Sequence, residues 1–166
     1  MRSFCVSLLF VVVAFANPNA TGTEPVTETR LCALYESPAE YAGKFVRVRA
    51  RVIGSDLKDL WIEDPANCDA FNAYMTMLAA FPENVEPKPP FLLEQNTSLA
   101  DFKSALHRPV AVFVTLEGRF DPVFVWRAKK RIRVGEGNAF GKKRRYDGRL
   151  VVRKISDLET MILPRK

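Results

Sequence analysis

Tyr41-Ala-Gly-Lys-Phe-Val-Arg-Val-Arg-Ala-Arg-Val-Ile53 is the stretch that decides the fold. From Val46 to Val52 it alternates without a break: Val46, Val48, Ala50 and Val52 on one side, Arg47, Arg49 and Arg51 on the other. A period of two belongs to a half-buried strand, so the valine side should pack and the arginine side should face water. Gly43-Lys44 turns the chain into this strand and Gly54-Ser55-Asp56 turns it out. A first strand this long suits a small, curled barrel.

Downstream, Asp59-Leu-Trp-Ile-Glu-Asp64 reads as a second strand, broken by Pro65, and Phe71 to Ala79 as a third. Four of the eleven prolines (Pro82, Pro87, Pro89 and Pro90) make the next segment an extended loop. Thr97 or Ser98 is expected to cap a helix over Leu99–His107, with Leu99, Phe102, Ala105 and Leu106 as its apolar stripe. Val110–Phe120 and Gly148–Ile155 supply strands four and five. Upstream, Glu28–Glu36 reads as a short helix capped by Thr27 and stopped by Ser37-Pro38. Ala39-Glu40-Tyr41 then adds a further turn.

Three strands, a helix and two more strands is the order of a mainly β, OB-like five-stranded Greek-key barrel. One helix precedes strand one, and the helix between strands three and four plugs an end. A β-sandwich would need two or three more strands than this sequence offers, on the order of seven in all. The expected core is Val46, Val48, Val52, Trp61, Val112, Val114, Leu150 and Val152, closed by Leu99, Phe102 and Leu106.

Several pieces carry a resemblance: Leu31-Cys-Ala-Leu-Tyr35, Tyr41 to Ala50, Leu60-Trp-Ile-Glu-Asp-Pro-Ala-Asn-Cys68, Val112-Phe-Val-Thr-Leu-Glu-Gly-Arg-Phe120, Asn138-Ala-Phe-Gly141 and Leu150-Val-Val-Arg-Lys-Ile155. Together the chain resembles a group of exported bacterial proteins with an OB-like barrel and an uncharacterised role. The resemblance implies a fold and a compartment, and assigns no activity to particular residues. Where similar sequences often read Gly-Phe-Gly-His, this one has Ala139-Phe140-Gly141-Lys142, so that histidine's role is absent here.

Residues 1–16 read as a signal peptide: Arg2, an apolar run from Phe4 to Phe15 broken only by Ser7, and small residues at Ala14 and Ala16. The run is too short for a stable membrane span. The competing reading is an uncleaved anchor. Residues 17–25 form a polar leader, and 26–166 a single OB-like domain, exported to the periplasm or secreted. Once Cys5 leaves with the signal, Cys32 and Cys68 remain, an even pair for which a disulfide is the expectation in an oxidising compartment. Two buried thiols are the alternative. With no Cys-x-x-Cys spacing and one histidine, neither a redox motif nor a zinc set is legible, and no metal or cofactor is expected.

Charge singles out one insertion, residues 121–147. It holds nine cations (Arg127, Lys129, Lys130, Arg131, Arg133, Lys142, Lys143, Arg144, Arg145) against three acids (Asp121, Glu136, Asp147). That difference, +6, equals the formal charge of the whole chain, so everything else sums to zero. Phe124, Trp126, Phe140 and Tyr146 are interleaved with the cations. In the OB fold this connection is one of two that meet ligands. Cations with aromatic faces suit an anionic partner, and the sequence favours an exported, non-enzymatic binding or accessory module whose basic hairpin touches one. An anionic envelope surface or an acidic protein fits best. Single-stranded nucleic acid has the same chemistry, but export removes the protein from it. A structural envelope protein acting through protein contacts is the other class. The bland alternatives are aromatics packed on the barrel and lysines that merely solvate an edge.

The remaining candidates are weaker. His107 at a helix C-terminus is expected to be a dipole partner. Glu63 and Asp64 are adjacent on a strand and should point apart, unlike a cooperating acid pair. Gly135-Glu-Gly-Asn138 precedes no helix and is a turn. No nucleophile–base pair can be assembled, so no enzyme is expected.

Overall fold

The computed structural model describes residues 24–54, 57, 60–66, 68, 76–122, 124–127, 130–133 and 148–162; the side chains of 124–133 are outside that description. The expected signal peptide, most of the expected leader and residues 71–75 of the expected third strand also lie outside it. The elements run β1 (Val26–Thr29), α1 (Leu31–Glu36), α2 (Pro38–Tyr41), β2 (Phe45–Ile53), β3 (Leu60–Glu63) and β4 (Thr76–Ala80). A 3-10 turn at Pro82–Asn84 and α3 (Thr97–Ala105) follow. Then come β5 (Val110–Pro122), β6 (Phe124–Arg127), β7 (Lys130–Arg133) and β8 (Gly148–Ile162).

The barrel closes in the order β2-β3-β4-β8-β5 and back to β2. Every pairing in that ring is antiparallel except β4 with β8. This is the OB arrangement the element order calls for. β2 is long enough to be shared. Over Phe45–Val48 one edge takes β1 in parallel, and over Arg51–Ile53 the same edge takes β3. Its other edge runs along β5 from Phe45 to Val52.

The inner face holds Val46, Val48, Ala50 and Val52 from β2, facing Val112, Val114 and Leu116 of β5 and Leu150, Val152 and Ile155 of β8. Leu99, Phe102, Ala105 and Leu106 of α3 and the turn after it seal one end, and Leu31, Leu34 and Tyr35 of α1 belong to the same core. Gly118 is required by close approach: a Cβ there would sit 2.3 Å from the Val151 carbonyl oxygen of β8. Among the described residues no helix is long and apolar enough to cross a membrane.

Four expectations change. Residues 26–29 form β1, so Thr27 caps nothing and the first helix starts at Leu31. Val26, Thr27 and Thr29 are β-branched, which disfavours a helix and fits an edge strand. Trp61 is half-buried on the outer face, because the register sets Ile62 against Val52 and turns Leu60 and Ile62 inward. Leu60-Trp61-Ile62 is apolar throughout, so alternation alone could not choose the inward residues. The cap of α3 is Asn96, whose Oδ1 accepts the Leu99 N–H at 2.9 Å; Thr97 and Ser98 are its first helical residues. His107 falls in the exposed turn after α3.

Candidate functional site

Arg47, Arg49 and Arg51 do point outward, but they do not stand free. Register places Arg47 opposite Glu117 of β5. On the far side of β5, β8 carries a bulge beside Glu117 and Gly118, which crowds Arg153 and Lys154 against the same spot. Arg47 Nη2 and Arg153 Nε each donate to the Glu117 carboxylate at 2.8 Å, and Arg47 Nη1 reaches Glu28 at 3.0 Å. Glu117 is only 7% exposed. Burial pushes its carboxyl up, but the hydrogen bonds and charges of Arg47 and Arg153 outweigh that and hold it below the usual range. The same contact raises the pKa of Arg47.

The pairing continues around the wall. Arg49 meets Glu159 at 2.8 Å and also donates to the Asp157 carbonyl. Arg51 meets Glu63 at 3.1 Å, and Lys154 meets Glu94 at 3.4 Å. Arg119 at 3.0 Å and Arg149 at 3.1 Å share Asp121. Arg153 also stacks over Phe45 at 3.8 Å. A polar groove of about 340 Å³ runs along this wall past Glu28, Arg47, Arg49, Glu117, Lys154 and Asp157. Its cations already face acids, so its surface is locally balanced.

At the opposite end from α3 the chain builds a clasp. Cys32 and Cys68 are disulfide-bonded, with Cα atoms 5.5 Å apart. Asp64, 3% exposed, accepts the Cys32 N–H at 3.3 Å, the Ala66 N–H at 3.1 Å and Arg30 Nη2 at 3.2 Å. Arg30 is the N-cap residue of α1 but makes no side-chain cap bond, so Asp64, 34 positions downstream, caps the helix instead. Tyr35 completes the clasp, its hydroxyl donating to the Thr76 carbonyl of β4. Cys32, Asp64 and Cys68 offer three ligand atoms within 4.8 Å of one another, but the disulfide consumes both sulfurs. Glu63 turns away to Arg51, so the two adjacent acids do serve different partners.

β6 lies alongside α1 and pairs with β7 as a separate antiparallel ribbon. The start of the basic insertion is therefore a hairpin. Its ladder sets Phe124 opposite Arg133, Trp126 opposite Arg131 and Arg127 opposite Lys130. Like charges facing each other at one rung do nothing for a ribbon's own stability. Lys129, Phe140, Lys142, Lys143, Arg144, Arg145 and Tyr146 lie outside the described residues. So do the side-chain positions of Phe124, Trp126, Arg127, Lys130, Arg131 and Arg133.

Sequence reading missed one surface. The outer face of β4 and β8 is covered by the proline-rich loop, where Val85 packs with Ala80 and Val151 beside Leu78 and Phe91. Phe91 meets Phe45 edge-on at 5.1 Å, with Arg119 5.8 Å from its ring centre. The four prolines signal a loop, and the available signal that it packs is its apolar Val85, Phe91 and Leu93.

No family model and no curated protein matches the chain. Among solved structures, one described as a putative aspartyl-tRNA synthetase from Leishmania major Friedlin is similar over 91% of this chain, at 17% identity and a TM-score of 0.40. The chain spans 24% of that protein's length. A likeness this weak carries no weight for this chain's function.

Proposed function

We propose that this OB-like barrel is an exported, non-enzymatic binding module that docks on an anionic envelope surface through its basic insertion at 121–147. One contrast carries the reading: the wall's arginines are matched by acids, whereas the insertion's sequence holds nine cations against three acids. Asp121, one of only three acids in the insertion, is already shared by Arg119 and Arg149 of the wall. Nine cations are then left with Glu136 and Asp147. A stretch with such an excess of cations raises the local potential and attracts an anionic surface over roughly a Debye length. The disulfide fits the oxidising compartment in which an exported protein would meet an envelope surface.

Replacing Lys142, Lys143, Arg144 and Arg145 together by Gln tests this. Each basic residue near an anionic bilayer contributes about 1 kcal/mol, so losing four should weaken binding to anionic vesicles at low salt on the order of a thousandfold. Heparin and single-stranded DNA serve as parallel arms that separate headgroup binding from general polyanion binding. Equal binding by parent and variant, or no vesicle binding by the parent, overturns the reading.

A further inference from the structure

We propose that the clasp is also a redox-gated metal site: once the disulfide is opened, Cys32, Cys68 and Asp64 hold one thiophilic divalent cation of the zinc class. Cys32 lies in the first turn of α1, Asp64 follows β3 directly, and Cys68 lies four residues further on; all three are buried. Their ligand atoms are within 4.8 Å of one another. Asp64 Oδ2 accepts the Cys32 N–H at 3.3 Å and also faces Cys32 Sγ at 3.2 Å. A bridged sulfur has no proton to give, so the second contact becomes favourable only when the bridge is open. With bonds of about 2.3 Å to sulfur and about 2.1 Å to oxygen, two ligands of a tetrahedral zinc ion sit about 3.6 Å apart. The sulfur and the carboxylate oxygen are already close to that spacing. The Cα atoms of the cysteines, 5.5 Å apart, let the freed sulfurs reach a common ion by side-chain rotation.

The surroundings suit such an ion. Asp64 Oδ1 accepts the Ala66 N–H at 3.1 Å and Arg30 Nη2 at 3.2 Å, which fixes the carboxylate and leaves Oδ2 turned to the sulfurs. Two thiolates and one carboxylate are balanced by a divalent ion and the Arg30 guanidinium, so the buried cluster sums to zero. The Arg30 side chain is half in solvent and marks the way in. Thiolate ligands select zinc-like ions over magnesium or calcium, and water takes the fourth position. Opening the bridge takes two electrons and two protons from a dithiol, which itself becomes a disulfide; the ion then displaces the two thiol protons. Either form of the clasp ties the same segments together. Asp64 supplies the third ligand that two cysteines and a single histidine leave illegible in the sequence. The site is independent of the basic insertion and of what that insertion binds.

The test titrates the full chain, reduced and free of oxygen, with cobalt(II) as a spectroscopic stand-in for zinc. One equivalent should saturate a thiolate-to-cobalt charge-transfer band, zinc should displace it, and the oxidised chain should give no band. Asp64→Asn, which keeps an acceptor for the Cys32 N–H, should weaken cobalt binding at least tenfold. X-ray absorption of the reduced parent loaded with zinc reads the ligands without any variant: two sulfurs at about 2.3 Å and oxygens at about 2.0–2.1 Å are expected. Zinc should also raise the melting temperature of the reduced chain and leave that of the oxidised chain unchanged. A reduced parent that gives no band overturns the proposal, as does equal binding by the oxidised chain. An Asp64→Asn variant that binds like the parent, or a shell of four sulfurs from two chains sharing one ion, overturns it as well.

Discussion

The barrel wall and the 121–147 insertion are both rich in arginine, and they differ in how many acids accompany it. On the wall each arginine of β2 has an acid partner: Arg47 has Glu28 and Glu117, Arg49 has Glu159, and Arg51 has Glu63. Those partners come from other strands, so the wall's charges help to register β1, β2, β3, β5 and β8 against one another. In the insertion the acids run out, leaving nine cations and an even more uneven balance once Asp121 is counted with the wall. On the wall arginine is structural because the fold supplies its partner; the insertion's sequence supplies fewer acids than cations.

The largest effect that sharpens this contrast comes from the clasp beneath the insertion. Replacing Cys32 and Cys68 by Ala opens a disulfide of sequence separation 36 and should cost about 3–4 kcal/mol in urea unfolding, by the chain-entropy account. A loss below about 1 kcal/mol would mean that Asp64 and Tyr35 already hold α1 unaided, since a single hydrogen bond contributes on that scale.

Next comes the wall's hub. Glu117→Gln leaves two guanidinium groups facing a neutral amide and should cost about 2 kcal/mol. Vesicle binding should be unchanged. The hub also makes a pH statement. Glu117 is held below its unfolded pKa, so its contribution is fully present above the unfolded carboxylate range and is lost as pH falls through the lower, folded value. Urea midpoints measured from neutral pH down into the acid range should therefore fall less steeply for Glu117→Gln than for the parent. A steeper fall would contradict the assignment.

A smaller loss is expected where the loop is stapled to the wall. Phe91→Ala removes the edge-on contact with Phe45 and the approach of Arg119, and should cost about 1–2 kcal/mol. Smallest of all, the quadruple Gln variant of Lys142 to Arg145 should change stability by no more than about 0.5 kcal/mol.

Much of the architecture was legible in the chain. The Val46–Val52 alternation gave β2 its faces, and the helix at Leu99 between strands three and four gave the barrel its plug. The disulfide was legible because only two cysteines remain once residues 1–16 are read as a signal peptide. β1 was not, since Val26-Thr27-Glu28-Thr29 is too short to show a period and is held by pairing with β2 rather than by its own pattern. Trp61 was assigned inward because three consecutive apolar residues carry no alternation, and only the pairing with Val52 and Ile53 chooses among them. Asp64 as a cap for α1, and Glu117 as a partner for Arg47, are separated from their targets by 32 and 70 residues. Contacts at that range follow from closure of the barrel and leave no local trace in the sequence. The surplus of the insertion could be counted from the sequence, but that Asp121 is withdrawn from it could not.

The most direct test removes two charges from each region and compares them at equal net charge. Arg49→Gln with Arg51→Gln strips the wall, and Lys142→Gln with Lys143→Gln strips the insertion. Binding to anionic vesicles at low salt should fall about tenfold or more for the insertion pair, at about 1 kcal/mol per charge, and stay near the parent for the wall pair. Equal losses from both pairs would show that only the total charge matters, and would contradict the proposal that the cation-rich insertion, and not the self-neutralised wall, meets the anionic surface.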